Sequence, residues 1–178
     1  MKMDYKTIKV ELKDGVAVLT FDNPPVNQMS PQFAEDFRDA INGAFEDEEV
    51  KALVLTGTGN NFVAGADITQ LQAMKDRDEV YQKVLEGTRF FNSIEVGPKP
   101  VVAAINGNCL GGGLEMAMVC HYRVAAKGVN LGQPEVLIGL FPGAGGTQRL
   151  PRLIGLPNAL EMIAMGGPIR SEKAHQRG

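Results

Sequence analysis

Apolar and charged residues alternate along the first twenty positions of the chain. Ile8, Val10 and Leu12 are separated by Lys9, Glu11 and Lys13, the period of two expected of a half-buried strand. Asp14-Gly15 is a hairpin turn signal, and Val16 to Phe21 reads as the returning strand. Pro24-Pro25 ends it, and the period then changes. Ser30 is a good N-cap, Pro31 suits the first helical position, and Glu35 and Asp36 lie near the positive helix end. Phe33, Phe37, Ala40, Ile41, Ala44 and Phe45 follow at helical spacing, and Glu46-Asp47-Glu48-Glu49 reads as a solvated helix end. Ala52 to Thr56 is an unbroken run, expected of a strand covered on both faces. Residues 78–95 read as a helix with Val80, Val84, Leu85, Phe91 and Ile94 inward, closed by Pro98 and Pro100. Val101 to Ile105 is a further buried strand, the turn Gly111-Gly112-Gly113 leads into a helix bearing Leu114, Met116, Ala117 and Met118, and another buried strand is expected at Val124. Strand, turn and helix recur, which makes the class α/β. No linker or boundary divides the chain.

Composition narrows the possibilities. At 178 residues the chain is ample for one domain, and its 44% hydrophobic and 22% charged residues are ordinary for a globular protein. A net charge of −3 gives no bias toward nucleic acid or an anionic membrane. No apolar run approaches the roughly 18 residues needed to span a bilayer, and the charged N-terminus lacks a signal-peptide apolar region. A cytoplasmic protein is expected. Cys109 and Cys120 match no zinc or redox spacing and are expected to be buried thiols. Many of the 21 glycines lie between residues 105 and 167, as where backbone is packed against itself or a ligand.

Several chemistries fail on their own requirements. No lysine follows Gly112 or Gly113 as a phosphate-binding P-loop requires, neither glycine turn completes GxGxxG, and Ser30, Ser93 and Ser171 lack the flanks of a nucleophile elbow. His121 and His175 are the only histidines, and neither stands at ligand spacing, so no metal is expected. Backbone amides remain. Gly111-Gly112-Gly113 exposes N–H groups at a helix N-terminus, and Ala64-Gly65-Ala66-Asp67 does so after another strand. Either turn alone reads better as tight strand-to-helix packing. Two glutamates shift the balance: Glu115 lies two residues past the glycine turn, and Glu135 follows Gly132-Gln133-Pro134 in an otherwise apolar stretch. Carboxylates in such surroundings are costly unless partnered or functional. The plainer alternative has Glu115 capping its own helix and Glu135 exposed in a loop.

These segments, taken in order, resemble the crotonase superfamily (enoyl-CoA hydratase/isomerase). Asn23-Pro24-Pro25-Val26-Asn27 resembles its CoA-contacting loop, and Phe62 to Ile68 its first oxyanion segment. Ala104 to Gly107 and Gly111 to Glu115 resemble the second. Leu131-Gly132-Gln133-Pro134-Glu135 and Phe141 to Leu150 complete the set.

The resemblance implies a crotonase-type spiral of ββα units over residues 1–178, with oxyanion N–H donors at Ala66 and Gly112 and a catalytic acid/base pair at Glu115 and Glu135. It also implies contacts to the CoA thioester from Pro25, Val26, Ala64, Gly65, Asp67, Ile68, Pro142 and Gly143. The implied reaction is reversible syn hydration of a trans-2-enoyl-CoA, with coenzyme A entering only as part of the substrate and no other cofactor. A homotrimer or hexamer is implied, without nucleic-acid or membrane partners. Two rivals stand: a Δ3,Δ2-enoyl-CoA isomerase or other crotonase-type reaction using one glutamate, and a non-enzymatic relative, either regulatory or RNA-binding, the latter opposed by the mixed charges of Lys75-Asp76-Arg77-Asp78-Glu79. Family members continue past the position of Gly178, so further helices are expected to cover Leu160, Met162, Ile163 and Met165. Acyl-chain length is not legible.

Overall fold

The alternating hairpin forms as its pattern demands. In the computed structural model β1 (Ile8–Lys13) and β2 (Val16–Phe21) pair antiparallel, with Ile8, Val10, Ala17, Leu19 and Phe21 on the buried face. The structure describes residues 4–67, 69, 73 and 75–178. The helix α1 (Pro31–Glu46) begins where Ser30 accepts a hydrogen bond from the Phe33 N–H, which supplies one of the partners a helix start lacks. Phe21 meets Phe33, Phe37 and Phe62 with ring centroids 5.1, 5.6 and 5.4 Å away. Such aromatic pairs add about 0.5–1.5 kcal/mol each beyond area burial, and this cluster joins the hairpin, α1 and β4 (Asn61–Ala64).

The remaining elements repeat that ββα order: β3 (Ala52–Gly57), β4 and α2 (Arg77–Glu95); then β5 (Val101–Ile105), β6 (Asn108–Leu110) and α3 (Gly112–Val119). Next come β7 (Tyr122–Ala125), β8 (Asn130–Gly132), a 3-10 turn (Pro134–Ile138) and α4 (Gly146–Ile154), followed by α5 (Leu156–Met165), β9 (Ile169–Arg170) and α6 (Ser171–Arg177). Strands of successive units stack into two sheets, ordered β1-β2-β3-β5-β7 and β4-β6-β8-β9. Every pair is parallel except the first hairpin and β8–β9. The expected α/β class and the ββα spiral are both present.

Four expectations about burial change. Only one face of β3 is fully covered: Leu53 and Leu55 are buried, whereas Val54 and Thr56 are half-buried. Val84 is exposed and Val80 and Leu85 only half-buried, because α2 lies on the core through its C-terminal half, where Phe91 and Ile94 are buried and Phe90 stands edge-on to Phe37. Val124 is 64% exposed, since β7 is the last strand of its sheet. Met162 is buried within the chain, while Leu160 and Met165 of the same helix are exposed. Cys109 and Cys120 are buried free thiols, and among the described residues no helix is long and apolar enough to cross a membrane.

Candidate active site

The two glycine turns come together because their strands are neighbours in register. The strands β4 and β6 run parallel with Ala64 opposite Leu110, so the turns that follow them, at Gly65-Ala66 and Gly111-Gly112, leave the sheet side by side. A Cβ built on Gly111 would lie 3.6 Å from the Gly65 Cα, which shows how tightly the turns abut. Gly65 and Gly111 have φ of +93° and +55°, a region glycine enters without steric penalty.

A third track fixes the direction of one amide. Met29 donates its N–H to the Gly65 carbonyl at 2.9 Å and accepts from the Asp67 N–H at 3.4 Å. In this parallel bridge the residue between, Ala66, turns its own N–H away from Met29, to the side where β6 lies. The Gly112 N–H, first in α3, precedes any intrahelical partner. Neither N–H donates a hydrogen bond among the described residues. The Met29 methyl covers Gly112 so closely that a Cβ there would lie 2.1 Å from it. Nothing in the sequence pattern singled Met29 out.

Every residue of α3 is buried, Glu115 included. Its carboxylate does not cap its own helix. Instead Oε1 accepts the N–H groups of Ala144 at 2.8 Å and Gly146 at 2.7 Å, from the turn that opens α4. A Cβ on Gly146 would lie 2.9 Å from that same oxygen, so only glycine lets the backbone come so near. Burial pushes the Glu115 carboxyl above the usual carboxylate range, opposed by the Gly146 and Ala144 amides and by the Arg149 charge. These amide partners were not foreseen, although a glycine run before a helix was their trace in the sequence.

Glu135 occupies the first turn of the 3-10 segment, where no residue is fully buried. Its Oε1 is 3.2 Å from the Cβ position of Gly111, which places it against the second glycine turn. Burial first, and then the charge of Glu115, raise its pKa to about 7 against a hydrogen bond to its own backbone. The buried Gln133 amide, with nitrogen and oxygen exchanged, donates to both Glu135 oxygens, at 3.0 and 3.3 Å. Two carboxyls share one site and both are displaced upward, the pattern expected of groups that cannot ionise together cheaply.

The expected thioester contacts divide. Val26 lies beside β4, its carbonyl accepting the Ala64 N–H at 3.2 Å, with Pro25 exposed next to it. Asp67 Oδ1 accepts the N–H and hydroxyl of Thr69 at 3.0 and 2.6 Å. Pro142 is buried and Gly143 exposed, in the turn whose amides hold Glu115; Ile68 lies outside the described residues. A cavity of about 580 Å³ is lined by Leu114, Met118, Val124, Leu150, Met162 and Ala174 among others. Neither glutamate lines it, so its size does not make it the site. Among the described residues no cluster of His, Cys, Asp and Glu could hold a metal ion. The mixed-charge stretch at 75–79 begins α2: Asp76 accepts the N–H groups of Asp78 and Glu79 as its N-cap.

The family model for enoyl-CoA hydratase/isomerase matches residues 11–178. A probable enoyl-CoA hydratase of Bacillus subtilis is 41% identical over 171 residues, 96% of this chain and 66% of the relative. The fatty acid oxidation complex subunit alpha of Shewanella frigidimarina is 45% identical over 170 residues, 93% of this chain and 24% of the relative. The crystal structure of an enoyl-CoA hydratase from Bacillus anthracis superposes with a TM-score of 0.90 at 35% identity, covering 97% of this chain and 68% of that one. With paired glycine turns on a ββα spiral and a match over nearly its whole length, the chain belongs to the enoyl-CoA hydratase/isomerase family. It spans about two thirds of the length of the first of these curated relatives and about a quarter of the second.

Proposed function

We propose that the protein is an enoyl-CoA hydratase, adding water reversibly and syn across the C2–C3 double bond of a trans-2-enoyl-CoA in fatty-acid oxidation. The observation that carries this reading is the pair of upward-shifted carboxyls, Glu115 and Glu135, set against adjoining turns with unengaged amides. The thioester oxygen sits between the N–H groups of Ala66 and Gly112. As water attacks C3, negative charge grows on that oxygen, and a preorganised donor is worth about 2.7–4 kcal/mol of barrier. Glu115, held by two N–H donors that favour its ionised form, takes the proton from water. Glu135, with a pKa raised to about 7, holds a proton near neutral pH and delivers it to C2. The pair titrates as a unit.

Charge on the thioester is met by backbone dipoles, so the reaction needs no metal or redox group; coenzyme A comes with the substrate and is placed along Val26, Ala64, Gly65 and Asp67. The buried thiols suit a reducing compartment such as the cytoplasm. Exposed Leu137, Phe141, Leu160 and Met165 support a homotrimer or hexamer, which sedimentation would test. For the activity, Glu115→Gln and Glu135→Gln should each lower kcat for crotonyl-CoA hydration by about 10²–10⁴-fold with little change in KM. Near-native turnover in either variant would remove that glutamate from the pair and favour an isomerase that uses the other.

A further inference from the structure

Ala144 is gripped from both sides. Its N–H donates to Glu115, while its carbonyl accepts from Arg149 Nη1 at 3.1 Å. The same guanidinium donates from Nη2 to Asn92 Oδ1 at 2.6 Å and to Glu95 Oε2 at 2.8 Å, and from Nε to Glu95 Oε2 at 3.0 Å. Arg149 is 11% exposed, whereas Glu95 at 48% is open to water. The turn between is built to receive the arginine. Gly145 has φ +101°, and a Cβ on it would lie 2.1 Å from Arg149 Nη1, so the guanidinium rests on bare backbone. A chain of contacts thus runs from the last turns of α2, through Arg149, to the two amides that orient Glu115.

We infer that Arg149, anchored by Asn92 and Glu95, is a positioning residue for Glu115, setting both the placement and the charge of that carboxylate. This deepens the hydratase reading and rests on it. The planar fork suits the role, since it reaches a carbonyl, an amide oxygen and a carboxylate at once, which a lysine ammonium does not do in one geometry. The charged groups bearing on Glu115 are Glu135 from the 3-10 turn and Arg149 from α4, with Glu95 of α2 behind Arg149. Arginine stays protonated throughout the working range, so its charge favours ionised Glu115 at every pH. A mere tie between α4 and α2 would leave the titration of Glu115 unmoved.

The experiment pairs turnover with the carboxyl titration of Glu115, followed by ¹³C NMR on glutamate-labelled protein and assigned with Glu115→Gln. Arg149→Gln should lower kcat about 10- to 100-fold with KM little changed, as expected when a reacting group is displaced. It should also raise the Glu115 midpoint and move the acid limb of the kcat profile upward. Arg149→Lys should keep the wild-type midpoint while recovering only part of kcat. Glu95→Gln, at a half-exposed position, tests the anchor if Arg149→Gln does not fold: kcat should fall without an upward move of the acid limb. Wild-type midpoints and turnover in the folded Arg149→Gln variant, or unchanged kcat in Glu95→Gln where only that variant folds, overturn the inference. If the wild-type protein hydrates no enoyl-CoA, the functional reading fails, and the Glu115 midpoints in wild type and Arg149→Gln still decide the inference.

Discussion

The helix α3 and the 3-10 turn at Pro134–Ile138 each deliver one glutamate to the same place, yet they are built in opposite ways. All eight residues of α3 are buried, and Glu115 is locked by two amides from another turn. No residue of the 3-10 turn is buried; Val136, Leu137 and Ile138 are exposed, and Glu135 is held chiefly by one neighbouring amide. Two identical side chains thus acquire different characters from their settings. Burial pushes both carboxyls upward, but for Glu115 two N–H donors and the Arg149 charge oppose it, whereas for Glu135 the charge of Glu115 adds to it.

The largest effect should come from disturbing the second glycine turn. Gly113→Ala places a methyl 2.2 Å from the Val63 carbonyl oxygen, a backbone atom that cannot swing aside as a side chain does, and so shifts the first turn of α3 with the Gly112 amide beside it. Hydration of crotonyl-CoA should fall about 10²–10³-fold in kcat; turnover within a few-fold of wild type would detach Gly112 from the chemistry. Next in size is the support beneath Glu115. Met116 is fully buried, so Met116→Ala should cost about 2–5 kcal/mol in chemical denaturation, and a smaller loss would show α3 to be looser than it looks.

The pH dependence separates the two carboxyls further. The folded pKa of Glu135, about 7, lies above its unfolded value. Its contribution to stability is therefore full below the ordinary glutamate range of about 4.3 and is lost as pH rises through about 7. Glu135→Gln, which has no charge to bury, should melt about 2–4 °C above wild type at pH 8 and at the same temperature near pH 4. The opposite order would mean that ionised Glu135 is stabilised by its surroundings. Smallest of all, Leu137→Ser on the exposed 3-10 turn should change stability by no more than about 0.5 kcal/mol. A larger loss in dilute solution would reveal a partner surface on that turn, and its concentration dependence would measure it.

Much of this was legible in the residues. The hairpin followed from strict alternation around Asp14-Gly15, α1 from Ser30-Pro31 and its apolar spacing, and the two amide turns from glycines placed between a strand and a helix. These signals are local: a period, a cap or a positive φ is decided by a few adjacent residues. Val80, Val84 and Leu85 misled for the same reason. Their spacing is helical and the helix is there, but spacing does not say how far along a helix its neighbours extend.

What only the tertiary structure decided is who meets whom. Sequence marked Glu115 as a carboxylate in an apolar setting, and could not name Ala144 and Gly146 as its donors, twenty-nine and thirty-one residues away. Nor could it set the turn at Gly65 against the turn at Gly111, which depends on the register of two parallel strands separated by a whole helix. Met29 lies outside every matching segment, and Gln133 and Arg149 stand within theirs with no role marked; each matters through what it lies against. Local periodicity is written in neighbouring residues, whereas distances across the spiral are the joint result of packing every unit on the next, and that sum exists only once the chain has folded.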